Sequence, residues 1–510
     1  MKREVELGLD GMTLEDLVAI SRHNAKARIS KGSIERIKEA RKLLEGWVRE
    51  GRVVYGVTTG FGALSDVIIS KTDTEQLQKN VLMSHAAGVG KPLDREIVRA
   101  IMTLRLKDFA RGNSGIRLET TSHILTLLNR DICPVMPEKG SVGASGDLAP
   151  LAHLGLVLIG LGEAFVNGQR VDGNTALKEA ELAPLKLQAG EGLALVNGTQ
   201  VMTAIGALAT YDAERLSKIS DISAAMSLEV LMGSRTEFDP LIHRVRPHPG
   251  QAASADNMRR ITRNSEIISS HKDCKRIQDA YTLRCSPQVH GTSKDVIRFV
   301  RSTVETEMNS STNNPLVFPE TKGFLLGGNF HGQPIALAMD TLSMAVSELA
   351  NISERRIERL LNPQLSGLPA FLVSNGGLNS GLMIAQYTAA ALVSENKVFC
   401  HPACVDSIST SANKEDHVSF GTISARKCRE IVENAEIVIA IELLCGAQAM
   451  DLFTNMKPGE GTLEAYRVVR ESVARLERDR VLAEDIDKVT GLVKGGELLE
   501  RVEKVVGALK

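Results

Sequence analysis

Aromatic residues are scarce, at 4% of the 510-residue chain with a single Trp, so the apolar 43% rests on Ala, Leu, Ile and Val. That palette fits a helix-rich core. Neither sign of charge is in surplus: 61 Lys and Arg face 62 Asp and Glu, a formal net charge of −1. A nucleic-acid footprint needs a clustered excess of base, so no nucleic-acid partner is expected. The seven cysteines, Cys133, Cys274, Cys285, Cys400, Cys404, Cys428 and Cys445, are odd in number and follow no framework spacing. They read as free thiols in a reducing compartment. Cys400-His401-x-x-Cys404 has no second ligand pair nearby, and a structural zinc needs four ligands, so no metal site is expected. No Gly-x-Ser-x-Gly occurs, which removes the hydrolase nucleophile elbow. Gly90-Lys91 is followed by Pro92 where a phosphate loop needs Ser or Thr. The start, MKREVELGLDG, has no apolar stretch for export. Residues 360–394 carry no charge and form the one membrane candidate, but Pro363, Pro369 and several glycines make them a poor span. Deep burial at a domain or subunit contact is expected there instead. A soluble, cytoplasmic protein with no membrane segment follows as the expectation.

The length allows two or three domains or one large helical unit. Thr13 followed by Asp16 marks a helix start, and Ser33 is read as opening a second helix, with Ile34, Ile37, Leu44 and Trp47 at helical spacing. Residues 53–62, VVYGVTTGFG, read as a strand running into a loop. Thr72 or Asp73 caps a helix in which Leu77, Val81 and His85 share a face, turning His85 inward. Helices are expected over 94–110, 118–129 and 148–162, with a hairpin over 163–172 turning at Asn167-Gly168. Asn197 and Gln200 sit in an apolar stretch, and each must find a hydrogen-bond partner. Beyond Thr199 long helices dominate, and 337–361 and 423–453 are long enough for a central bundle. Residues 246–251, RPHPGQ, read as a loop between helices. After Pro458, runs such as ESVARLERDR read as amphipathic surface helices.

The chemistry centres on residues 139–150, KGSVGASGDLAP. Small residues around Ala144-Ser145-Gly146 let the backbone fold tightly, because glycine reaches positive φ at no steric cost. The Gly146 amide nitrogen is then placed to attack the Ala144 carbonyl carbon. Loss of one water from the ring and one from the Ser145 side chain leaves a methylidene conjugated to an imidazolone, an electrophile that no ordinary side chain supplies. Alone, the tripeptide is an ordinary glycine-rich turn in most chains of this length.

GASGDLAP over 143–150, Tyr-Gly-x-x-Thr-Gly-Phe-Gly from Tyr55, LVNGT at Asn197, GGNFHG at Asn329-Phe330, QDAYTLRCSPQ over 278–288 and NKEDHVS over 413–419 together resemble the aromatic amino acid ammonia-lyase family, over nearly the whole chain. The resemblance implies a mainly α fold, with an N-terminal domain at 1–198 carrying the Ala-Ser-Gly loop. A central helical bundle with C-terminal amphipathic helices fills 199–510. It implies a carbon–nitrogen lyase with a 4-methylidene-imidazol-5-one formed from Ala144, Ser145 and Gly146 and no external cofactor. Tyr55 is implied as the base, for which the site must stabilise phenolate against a free value near 10. Asn197 would hydrogen-bond the electrophile's oxygen, and Phe330 would pack near the ring. Tyr281 and Arg284, three apart, share a face if helical, and Arg284 suits the bidentate grip of a substrate carboxylate. Gln278 would support the carboxylate or the ring, and Asn329 would bind substrate. Family members are homotetramers whose active sites draw on neighbouring subunits.

Substrate choice rests on a few positions. Ser84-His85, Glu415 and Met383 resemble family members that act on histidine to give trans-urocanate, the first step of histidine degradation. Members acting on tyrosine or phenylalanine differ at the first two. Ala280, Lys414, Gln333 and residues 290–293 depart from the usual pattern, and Lys414 stands beside Glu415. A tyrosine or phenylalanine lyase or aminomutase remains the alternative, and a helical scaffold that has lost catalysis is a third.

Overall fold

The computed structural model describes residues 2–70, 73–271 and 277–510. It divides into two compact units: one holds 1–208, 301–340 and 402–426, the other 209–300, 341–401 and 427–510. The chain is mainly α, as expected, with 21 α-helices among the described residues.

The first unit contains every strand described, in four small sheets. Glu4–Leu7 pairs in parallel with Lys26–Ile29, and Val89–Pro92 pairs antiparallel with Pro137–Lys139. Cys133–Pro134, Glu163–Val166 and Gln169–Asp172 form a three-stranded sheet, and Leu316–Phe318 pairs with Gly323–Leu325. The expected hairpin turns at Asn167 and Gly168, both at positive φ (49° and 78°), the pairing a two-residue turn requires. Helix Leu14–Ser21 starts on the capping box read from sequence, with Thr13 accepting from the Asp16 amide and Asp16 reaching back. The next helix, Lys31–Arg49, begins earlier than Ser33 suggests: Ser30 is the cap and accepts from the Ser33 amide. Residues 53–62 are not a strand. They turn on themselves with Gly56 at φ 64°, and β pairing is limited to a bridge between Thr59 and Ile68. Helix Thr74–His85 follows Asp73, which makes no side-chain cap; Thr72 lies outside the described residues, as does Cys274. Helix Arg95–Ala110 is buried at every position from Ile97 onward and forms the spine of this unit.

The second unit has helices joined by loops, with no strand among its described residues, and holds the greater part of Gln200–Val230, Ser286–Met308, Gln333–Leu361 and Gly421–Met450. Its core contains charge as well as Leu, Ile and Ala. Fully buried Glu442 accepts from Arg356 at 2.5 and 2.9 Å and from Ser223, Ser227 and Ser353 at 2.6–2.9 Å. Matching every oxygen this way offsets the cost of burying the carboxylate. Pro249 opens helix Pro249–Ile261, so the loop read over 246–251 ends at His248. Helix Glu460–Ser472 stops before most of the ESVARLERDR run, which continues without helix.

Residues 363–394 are not deeply buried in this chain. Leu378 is 86% and Tyr387 62% exposed, and helix Met383–Phe399 buries only Ala385, Ala389 and Asn396. The segment is uncharged but broken, with helix Pro363–Ser366 ending at Gly367 (φ 72°) just before Pro369. Among the described residues one helix, Gln333–Leu361, is long and apolar enough to cross a membrane, and 72% of its most apolar window is buried inside the protein. No group of three or more metal-binding side chains occurs among the described residues, and none of the six described cysteines is in a disulfide.

Candidate active site

The Ala144–Gly146 segment lies between strand Pro137–Lys139 and helix Leu148–Leu158. Gly143 and Gly146 both hold the left-handed conformation, at φ 71° and 72°. At Gly146 the demand is steric as well: an added Cβ would stand 2.0 Å from the Gly198 carbonyl oxygen. The two glycines form a parallel bridge, in which the Asp147 amide donates to Gly198 O at 2.7 Å and the Gly198 amide donates to Ser145 O at 3.3 Å. With the Asn197 carboxamide turned to satisfy both its ends, Nδ2 donates to Ser145 O at 2.9 Å while Oδ1 accepts from the Asn314 amide at 2.9 Å. The Ser145 carbonyl oxygen thus faces two N–H donors.

Asp147 fastens this turn to the rest of the first unit. It is fully buried and accepts from Ser141 Oγ at 2.8 Å, from the Val201 and Met202 amides at 2.9 Å each, and from Thr422 Oγ1. The two amides belong to the first turn of Gln200–Val230, whose N–H groups have no helical partner. Burial pushes the Asp147 carboxyl up, against the pull of these donors. One residue before the tripeptide, Gly143 O accepts from Ser419 Oγ at 3.0 Å and from the Gly332 amide at 3.4 Å.

Ala144 and Ser145 line a cavity of about 640 Å³ together with Tyr55, Asn314, Phe330, His331, Lys414, Glu415 and His417. The Tyr55 hydroxyl accepts from the Gly62 amide at 3.2 Å, and the Ala63 amide donates to Ser411 Oγ at 3.3 Å, which ties the tyrosine loop to the segment bearing Glu415. Thr410 Oγ1 donates to Glu415 at 2.9 Å. His85 ends helix Thr74–His85 half-buried, edge-on to Phe61 at 6.5 Å. Burial holds its imidazole below the usual range, and the nearby Glu415 charge pulls it back. His331 and His417 stack with their planes within 4° and their centroids 5.7 Å apart. Asn329 is exposed and donates to Ser311 O at 3.3 Å.

The remaining residues singled out from sequence lie in the second unit. Gln278 is exposed, and Tyr281 and Arg284 bound a one-turn helix with the Arg284 guanidinium 4.6 Å from the Tyr281 ring centre. The shared face read from their spacing is real, although Tyr281 is 71% exposed and a half-buried Arg284 has an unpartnered Nε. Met383 opens helix Met383–Phe399. Sequence reasoning missed Asp147, Asn314, His331, His417 and Thr422. Asp147 carried a signal in its position directly after the tripeptide, and His331 and His417 in lying inside GGNFHG and NKEDHVS; Asn314 and Thr422 carried none.

A profile of the family described as "Aromatic amino acid lyase" matches residues 12–471. A histidine ammonia-lyase of Alkaliphilus oremlandii is 55% identical over 500 residues, 98% of each chain. The crystal structure of a histidine ammonia-lyase from Trypanosoma cruzi superposes with a TM-score of 0.91 at 45% identity, over 98% of this chain and 95% of that one. A tyrosine aminomutase from Streptomyces globisporus superposes with a TM-score of 0.94 at 36% identity, over 98% and 99%. On a match that covers most of its length, the chain belongs to the aromatic amino acid lyase family.

Proposed function

We propose that this chain is a histidine ammonia-lyase, a carbon–nitrogen lyase that releases ammonia from L-histidine and leaves trans-urocanate. One observation carries the reading: Ala144 and Ser145 share a cavity wall with Tyr55, Phe330 and Glu415, in a chain 55% identical to a histidine ammonia-lyase. The residues fit a 4-methylidene-imidazol-5-one. Gly143 and Gly146 already hold the bend that ring closure needs, and the Gly198 carbonyl leaves no room for a Cβ at Gly146. When formed, that group supplies an electrophile for the substrate. Asn197 Nδ2 and the Gly198 amide aim at Ser145 O, where they stabilise growing negative charge.

Tyr55 takes the β-proton at its hydroxyl oxygen. The Gly62 amide donates to that oxygen and fixes its position in the cavity. Glu415 accepts an imidazole N–H or pairs with imidazolium. His85, whose imidazole burial holds below the usual range, offers the same ring a hydrogen-bond partner. Phe330 excludes water from the cavity. Arg284 grips the substrate carboxylate, Gln278, Asn329 and Met383 complete substrate binding, and Tyr281 joins the catalytic residues. We assign these last roles within a homotetramer in which neighbouring copies complete each site. The exposure of Tyr281, Leu378 and Tyr387 in the single chain supports such an assembly. Six described cysteines without a disulfide fit a cytoplasmic location.

The test is incubation with L-histidine, L-tyrosine and L-phenylalanine while ultraviolet absorbance follows the conjugated product. Urocanate from histidine is expected. Turnover of tyrosine without histidine would replace the substrate assignment. An unmodified mass for the peptide containing Ser145, instead of a deficit of two waters, would defeat the electrophile.

A further inference from the structure

Arg105 has no role in the reading above, yet it is densely bonded beneath the Ala144–Gly146 loop. It is fully buried on helix Arg95–Ala110, with its guanidinium 5.1 Å over the Phe109 ring. A guanidinium in that position is costly unless its N–H groups find acceptors. Nη1 donates to the carbonyl oxygens of Ala194 and Asn197 at 2.7 and 2.8 Å. Nη2 donates to Asn197 O at 2.9 Å, to the Asp108 carboxylate at 3.1 Å and to the Gln200 side-chain oxygen. Gln200 passes the network on to Thr312 Oγ1 at 2.9 Å, and Asn313 donates to Asp108 at 3.0 Å.

The main chain held in this way is the one that holds the tripeptide. Asn197 donates its carboxamide to Ser145 O, and Gly198 bonds Ser145 O on one side and the Asp147 amide on the other. No slack separates guanidinium and backbone: a Cβ on Gly198 would lie 2.4 Å from Arg105 Nη2, and Gly198 has φ 138°.

The geometry points to Arg105 as a positioning residue for the electrophile: it fixes the Asn197–Gly198 main chain against which Ala144–Gly146 bends, and so governs both ring closure and the placement of the Asn197 donor. This rests on the lyase reading above. In ring closure a bond forms from Gly146 N to the Ala144 carbonyl carbon. The Ala144 oxygen leaves as water with the amide hydrogens of Gly146 and Ser145. The Ser145 hydroxyl leaves with its Cα hydrogen as a second water, and nothing is oxidised or reduced overall. A shift of about 1 Å in Asn197 breaks its bond to Ser145 O, and misplacement on that scale costs on the order of 100-fold in rate.

Three full-length variants test the inference against the parent: Arg105→Met, Arg105→Lys and Arg99→Met. Arg99 lies on the same helix, is 2% exposed and donates instead to the carbonyls of Ile20 and Leu128. It controls for the loss of any buried arginine. The readouts are the mass of the Ser145 peptide, kcat and KM on L-histidine, and the thermal midpoint. Arg105→Met is expected to leave part of the Ser145 population unmodified and to lower kcat about 100-fold, with KM changed only about threefold. Arg105→Lys keeps the charge facing Asp108 but cannot grip both carbonyls, so kcat falls about tenfold in a folded protein. Arg99→Met is expected to keep the full two-water deficit and kcat within about twofold despite a lower midpoint. Full deficit and near-parental kcat in Arg105→Lys would overturn the inference even if Arg105→Met fails to fold. So would an equal kcat loss in Arg99→Met. A parent without the mass deficit would sink the lyase reading, and the inference with it; a parent with it confines any failure to Arg105.

Discussion

Replacing Gly146 by Ala separates the backbone demand of the loop from its packing demand. Gly146 and Gly168 have nearly the same φ, 72° and 78°, but different surroundings. A Cβ at Gly168 meets nothing within 4 Å, whereas at Gly146 it meets the Gly198 carbonyl oxygen at 2.0 Å. Gly168→Ala therefore loses only the left-handed preference, about 1 kcal/mol. Gly146→Ala loses the same and must also push the 197–198 main chain away by about 1.5 Å to reach ordinary van der Waals contact. That movement breaks the bonds from the Asp147 amide to Gly198 O (2.7 Å) and from the Gly198 amide to Ser145 O (3.3 Å). Each leaves a buried polar group unmatched at about 1–3 kcal/mol, for a total of about 3–7 kcal/mol. The chemical loss is larger, since the attacking nitrogen and its target carbon no longer hold their approach. Thermal midpoints, the mass of the Ser145 peptide and ammonia release from histidine measure all three effects. Gly168→Ala is expected to keep full activity and the two-water deficit. Gly146→Ala is expected to lose the deficit and at least about 100-fold in kcat. If Gly146→Ala kept its deficit and turned over within threefold of the parent, the tight bridge between residues 146 and 198 would not govern the chemistry.

Three further outcomes follow from the same structure. Burial, reinforced by Asp212, raises Glu436 to about 7. The folded state then holds a proton that the unfolded chain has already released above about pH 4.5, so this group's contribution to stability is full below pH 4.5 and is lost as pH rises through about 7. Glu436→Gln should therefore gain up to about 3 kcal/mol over the parent at pH 8 and little at pH 4, read from thermal midpoints at the two pH values; an equal change at both would refute the titration. Arg356→Met alone leaves buried Glu442 without its cation and is expected to cost about 3–5 kcal/mol. Arg356→Met with Glu442→Leu should recover most of that in a melting experiment, and additive losses would contradict the pairing. Tyr55→Phe keeps the ring but removes the proposed base, so kcat on histidine should fall about 100-fold or more while the Ser145 mass deficit stays intact; unchanged kcat would release Tyr55 from that role.

The elements that could be read in advance are those whose cause is local. Thr13 and Asp16 cap each other within one turn, and Asn167-Gly168 supplies two positive φ angles where a hairpin must reverse. The 53–62 run failed because β-branched residues state a preference for pleated backbone, not the presence of a strand to pair with. The tripeptide loop was legible for its glycines, but what holds it was not: Thr422, which donates to Asp147, is 275 residues away. Arg99 and Arg105 show the same limit within a single helix. Both are buried arginines in one apolar run, and nothing in their spacing distinguishes them. One serves carbonyls at Ile20 and Leu128, the other carbonyls at Ala194 and Asn197. Their partners are set by which chain segment the fold brings against each side of that helix. In a site built on backbone geometry, the groups that shape the electrophile are therefore the ones sequence leaves silent, and a buried donor is best read through the carbonyls it holds.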